Sequence, residues 1–167
     1  TQANTHQTDP DIASTELEAF GRDGGSLIVD QSVTGLARNA VGLAHASRQS
    51  GIHVVAAAGT YTADFLNSET LAMDEAALTA RFTAEINTGI DGTDIRAGLI
   101  GEMGCSWPLH PFEHRALIAA ARTQVATGAA ISVHPGRHAQ ACSDILDILE
   151  SNGADLTRVI LCHMDRT

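Results

Sequence analysis

Five short apolar runs alternate along this chain with helical stretches that each stop at a glycine, and this repeat constrains the fold more than any other feature. The runs occupy 26–30, 52–58, 96–102, 129–134 and 158–163. They are apolar throughout rather than alternating, which marks parallel strands covered on both faces. Helical periodicity fills 36–50, 73–87, 111–127 and 139–152, with Gly51, Gly89, Gly128 and Gly153 placed for left-handed caps. A further helix opens at Asp9-Pro10 and runs to about Phe20. The glycine cluster after it follows a helix rather than a strand, so it reads as a turn and not as a phosphate cradle. Strand–helix repetition of this kind builds an open doubly wound sheet or part of a (β/α)₈ barrel.

Three of the runs end on residues that bind metals. Arg96 to Gly104 closes on Glu102, Ala130 to Gly136 on His134, and Arg158 to Asp165 on His163. Active sites of parallel α/β folds gather at the carboxyl ends of strands. One strand-end Glu is ordinarily a solvated residue or a cap, and one such His is ordinarily structural. Three in register point to a shared site.

Composition removes several kinds of chemistry. The net charge of −10 leaves no basic stripe for phosphate backbones, so nucleic acid is not an expected partner. Aromatic residues are only 4%, too few for a base-stacking surface. All ten basic residues are Arg. Without Lys, Schiff-base, P-loop and carbamate chemistry are excluded. Cys105, Cys142 and Cys162 form no C-x-x-C pair and read as small buried hydrophobes in a reducing, cytoplasmic setting. No apolar run approaches the roughly 18 residues of a membrane span, so no membrane partner is expected. The polar segment 1–8 reads as a flexible N-terminal extension and not as a signal peptide.

His110-Pro111-Phe112-Glu113-His114 has the form of an H-x-x-E-H metal motif. Pro111 belongs at the first helical position, which leaves His110 at the cap rather than on the helix face. The stretch therefore reads as a solvated first turn, with Glu113 favouring the helix dipole. Arg137 and Arg166 follow two of the strand ends and suit either an anion clamp or a surface ion pair. Tyr61 and Trp107 follow strand ends as well, as pocket walls or as loop packing. Asp165 suits either the orientation of a ligand His or a helix cap.

Several strings together resemble the phosphotriesterase family of the amidohydrolase superfamily, nearest to its phosphotriesterase-related branch. They are Ser26 to Ser32, Val54 to Tyr61, Gly101-Glu102-Met103-Gly104-Cys105-Ser106-Trp107-Pro108-Leu109, His134-Pro135-Gly136-Arg137, and Gly153 through Thr167. The resemblance implies a partial (β/α)₈ TIM barrel forming one incomplete domain over 1–167, equivalent to strands two to six. It implies two divalent metal ions, usually zinc, that activate a bridging hydroxide against an ester, lactone, amide or phosphoester. Glu102 matches the position where many members carry a carboxylated lysine bridging the metals. His134 and His163 match two histidine ligands. The first-strand His-x-His pair and the eighth-strand aspartate have no counterpart here, so the chain is expected to carry half a site and to be inactive and poorly stable alone.

The implied function is that of a binuclear metal-dependent hydrolase acting on a small, anionic substrate, with a homodimer left open. A phosphate-binding isomerase on the same fold and a non-catalytic fragment are the competing readings. The first lacks a glycine-rich phosphate loop after its strands.

Overall fold

The computed structural model describes residues 9–166. The segment 1–8, expected to be flexible, lies outside the described residues, and so does the Arg166 side chain.

Helix α1, Pro10–Arg22, starts where Asp9 accepts the Asp11 N–H at 2.9 Å. It packs on α2, Ala40–Ser50. Strand β1, Leu27–Val29, pairs in parallel with β2, His53–Val55. A second parallel sheet runs β3 (Ala57–Ala58), β4 (Leu99–Gly104), β5 (Ile131–His134) and β6 (Val159–Leu161), in chain order. Helices α3 (Ser68–Leu71), α4 (Glu75–Asn87), α5 (Pro111–Thr127) and α6 (Ala141–Ser151) connect these strands. This is an α/β fold of successive parallel β/α units, the unit from which a (β/α)₈ barrel is built.

The run 52–58 forms two strands rather than one. Its first half pairs with β1, and its second half pairs with β4 through Ala57↔Leu99 and Ala58↔Ile100. A single continuous segment thus hands the hydrogen-bond ladder from one neighbour to the next. A lone parallel bridge, Thr34↔Thr60, ties the two sheets again beyond the split.

The third apolar run also differs from expectation. Its strand begins at Leu99, after the Ala97 amide has gone to the Glu85 carbonyl and the Gly98 amide to the Ala56 carbonyl just ahead of β3. It then continues past Glu102 to Gly104. Gly51 and Gly128 are left-handed caps, with φ of 72° and 75°. Gly153 adopts φ of 86° one residue beyond the cap of α6. Helix α4 instead ends on Thr88 in right-handed geometry, and Gly89 is needed because a Cβ there would collide with the Thr93 carbonyl.

The main core lies between the larger sheet and α4–α6. Leu78, Phe82, Ile100, Phe112, Leu117 and Ile131 are among its fully enclosed side chains. Truncating either Phe to Ala would cost roughly 3–5 kcal/mol. Both faces of β4 and β5 are covered as expected. β1 and β6 are not: Leu27, Val29 and Ile160 remain 50, 45 and 53% exposed. Among the described residues no layer covers these apolar side chains. No described helix is long and apolar enough to cross a membrane.

Candidate metal centre

The site forms where β4, β5 and β6 end side by side. Between Ile100↔Ile131 and Met103↔Val133 the register shifts, so β4 uses three residues where β5 uses two. This bulge re-aims a side chain that regular alternation would have pointed elsewhere. The re-aimed residue is Glu102. Gly101 makes the bulge feasible: its φ is 112°, and a Cβ there would run into the Ser132 carbonyl oxygen.

His134 is the last residue of β5, and His163 follows β6 in the left-handed region at φ 57°. That conformation turns the chain from the strand into a closing 3₁₀ turn, Met164–Arg166. A Cβ-bearing residue held there is uncommon and recurs at functional sites.

Glu102 Oε2 lies 3.1 Å from His134 Nδ1, and Oε1 lies 2.9 Å from His163 Nε2. The side chains are 13, 17 and 33% exposed in the order Glu102, His134, His163, so all three are sheltered yet reachable. The two imidazoles meet edge-on, with centroids 4.6 Å apart. One carboxylate oxygen and one nitrogen from each His lie within 4.8 Å of one another. A carboxylate and two imidazoles are a normal donor set for zinc. The residues present therefore fit a divalent cation.

Other residues singled out from the sequence fall around this cluster. Tyr61 packs edge-on against the His134 ring at 5.3 Å and against Phe65 at 5.2 Å. Trp107 lies flat on His138, with centroids 4.4 Å apart and planes 6° from parallel. Arg137 is exposed and lines a cleft of ≈ 200 Å³ together with His138, Cys142, His163 and Met164. Asp165 is exposed on the closing turn. The Arg166 side chain lies outside the described residues.

The H-x-x-E-H stretch supplies no ligand to this cluster. His110 caps α5 by accepting the Phe112 N–H at its Nδ1, 3.1 Å away. Glu113, however, is not solvated. It is 1% exposed and accepts from the Ala63, Ser106 and His110 amides and from the Ser106 hydroxyl. The expectation of a solvated turn fails because the segment leading into α5 folds Ser106 back onto Glu113 and the loop after β3 brings in the Ala63 amide.

Nor are the cysteines uniformly small buried hydrophobes. Cys105 is buried, but Cys142 lines the cleft and Cys162 lies beside Glu102 of the candidate site. The Cys162 Sγ lies 3.1 Å from the Ser132 hydroxyl and 4.0 Å from the Gln31 amide nitrogen. Burial pushes its thiol pKa up; the Ser132 hydrogen bond opposes this, and the negative charge of Glu102 adds to it. Sequence reasoning overlooked Gln31 and Ser132 as neighbours of the site. Ser132 carried a usable signal, since it stands two residues before His134 and so shares its face of the strand.

Residues 2–167 match the phosphotriesterase family. The N-acetyltaurine hydrolase of Dictyostelium discoideum is 41% identical over 98% of this chain and 44% of its own length. Among solved structures, a resiniferatoxin-binding protein from Rhodobacter sphaeroides superposes with a TM-score of 0.90 at 39% identity, covering 94% of this chain and 44% of that one. A phosphotriesterase homology protein from Escherichia coli, complexed with phosphate in its active site, superposes at 0.88 with 28% identity, covering 94% and 54%. The chain thus spans about 44% of the length of the curated relative it matches. The strand-end cluster, the parallel β/α repeat and a match over almost every residue agree, and the chain belongs to the phosphotriesterase family.

Proposed function

We propose that this chain is the part of a metal-dependent hydrolase in which Glu102, His134 and His163 hold divalent cations, zinc in the first place, and that the substrate is an amide bearing an anionic group. The observation that carries the reading is the division of the Glu102 carboxylate. One oxygen faces His134 and the other faces His163, so a single side chain serves two separate nitrogen donors. Such a carboxylate, with the two imidazoles, would suit holding a pair of divalent cations. A cation bound there would supply Lewis acidity and would make water more acidic.

The chain's own residues supply the remainder. Glu102 contributes the negative charge that offsets the cations. Tyr61 packs against the His134 ring and restricts its orientation. Arg137, at the rim of the cleft that His163 lines, offers a guanidinium fork to a carboxylate, sulfonate or phosphate. The 41% identity to an N-acetyltaurine hydrolase favours an amide carrying a sulfonate over ester, lactone and phosphoester alternatives.

The test uses the longer protein that contains these residues, loaded with zinc. Elemental analysis should find close to two zinc ions per chain. N-acetyltaurine should be cleaved far faster than N-acetylethylamine, which has no sulfonate. A folded protein that retains no metal after incubation with excess zinc and desalting would overturn the metal reading. Equal turnover of the two amides would overturn the anionic substrate.

A further inference from the structure

Glu113 is a fully buried carboxylate, 1% exposed, that the metal centre does not use. Its Oε2 lies 2.8 Å from the Ser106 amide, 2.7 Å from the Ser106 hydroxyl and 3.1 Å from the His110 amide; its Oε1 lies 3.0 Å from the Ala63 amide. No cation pairs with it among the described residues. Capping α5 would require only the His110 contact. A buried negative charge is expensive unless its hydrogen bonds are complete. Here they are completed by the loop after β3, which carries Tyr61, and by the loop after β4, which carries Trp107.

The second loop leads on to the cleft. Ser106 is followed directly by Trp107, whose indole lies on His138 in the loop after β5. The two loops also touch through their backbones. A Cβ at Gly136 would come within 2.7 Å of the Ser106 carbonyl and of the Trp107 Cβ. Arg137 lies between Gly136 and His138, and all three line the cleft beside His163.

We propose that Glu113 is a positioning residue of the cleft. Its carboxylate fixes Ser106, Ser106 fixes Trp107, and the Trp107–His138 stack holds the Arg137 loop against the wall where an anionic substrate group binds. The catalytic consequence rests on the function proposed above. The geometric part does not, because it concerns only how two loops are held.

Trp107 is the only tryptophan of these 167 residues, and subtracting the emission of a Trp107→Phe protein isolates its fluorescence in a longer chain as well. The measurement is acrylamide quenching of Trp107 in zinc-loaded wild type, Glu113→Gln, Ser106→Ala and His138→Ala, well below each melting temperature. Gln at 113 keeps the shape but turns an NH₂ toward N–H donors. The quenching constant should roughly double in Glu113→Gln and His138→Ala, since the stack covers one of the two indole faces. Ser106→Ala, which deletes a single donor, should show a smaller rise in the same direction. Zinc affinity should be unchanged in all three. In the hydrolysis assay KM for the sulfonated amide should rise roughly tenfold, as for other outer-shell changes, with kcat little altered.

Quenching that stays at the wild-type value in folded Glu113→Gln overturns the proposal. Should that variant fail to fold, unchanged quenching in Ser106→Ala overturns it equally. If quenching rises as expected but the wild type hydrolyses no amide, the positioning chain stands and the proposed function fails.

Discussion

Arg38 and Glu85 face each other through two parallel hydrogen bonds of 3.0 Å, and their side chains are only 2 and 6% exposed. Arg38 also donates to both Asp91 oxygens, at 2.7 and 3.1 Å, and to the Ala57 carbonyl at 2.7 Å. Glu85 accepts from the Gly59 amide at 3.3 Å. The pair therefore grips both ends of β3, the short strand where the ladder passes to the larger sheet. Burial alone would lower the Arg38 pKa, but hydrogen bonds and charges from Glu85 and Asp91 outweigh it and hold it above the ordinary value. Arg38 therefore stays charged.

Removing Arg38 leaves the buried Glu85 with only the partly exposed Arg81, whose Nε donates to Glu85 Oε1 at 3.2 Å, as a charged partner. Arg38→Ala should lower stability by roughly 3–5 kcal/mol. Replacing both partners at once, as Arg38→Met with Glu85→Leu, should lose much less, because the two buried charges are gone together and the partners left over, Arg81 and Asp91, are 27 and 46% exposed. Urea unfolding of the two proteins checks this. A double variant less stable than Arg38→Ala would show that the network does more than satisfy its own charges.

The cysteines should differ sharply in reactivity. Burial pushes the Cys105 thiol well up, and the nearby Glu113 charge pushes it in the same direction. The thiolate is the nucleophile, so a raised pKa together with enclosure leaves Cys105 inert. Cys142 lines the cleft. Iodoacetamide at pH 8 should label Cys142 first and Cys105 only after denaturation, as read by peptide mass spectrometry. Early labelling of Cys105 in folded protein would mean that the loop after β4 opens readily.

The fold was legible where physics is local, and obscure where it is not. Apolar runs bounded by glycine located all five strand regions, because a buried strand needs only its own side chains to announce it. The split of 52–58 was invisible, since it depends on which neighbour each half pairs with. Glu102, His134 and His163 were legible as candidates because each follows an apolar run. The bulge that aims Glu102 was not, for it depends on Gly101 meeting Ser132, 31 residues away in sequence. Glu113 was misread in part for the same reason: its Ala63 donor belongs to the loop after β3, fifty residues away in sequence.

Arg137 stands exposed at the cleft rim beside His163. If it receives the anionic end of the substrate, Arg137→Ala should raise KM for a sulfonated amide by roughly tenfold while sparing a neutral amide, since a charge-assisted contact contributes about 1.5–3 kcal/mol. Steady-state rates on the matched pair, N-acetyltaurine and N-acetylethylamine, decide it. A parallel loss on both amides would place Arg137 in loop structure instead of recognition.

The remaining prediction concerns Glu102. Family members that bridge their metals with lysine must first carboxylate it, and they then depend on carbon dioxide for assembly. These 167 residues contain no lysine, so a bridge drawn from them would be a native carboxylate. Glu102 is the carboxylate that lies within 2.9–3.1 Å of both histidines. Glu102→Gln keeps the shape and one oxygen but removes the charge that two cations require. Zinc affinity should therefore fall by more than the 10–100-fold of an outer-shell change. Reconstitution of the metal-free protein should proceed equally with and without bicarbonate. Zinc titrations of wild type and Glu102→Gln, each run in bicarbonate-free and bicarbonate-supplemented buffer, test both points together. Equal affinities in the two proteins would remove Glu102 from the ligand set, and assembly that needs bicarbonate would place the bridge on a lysine beyond these residues.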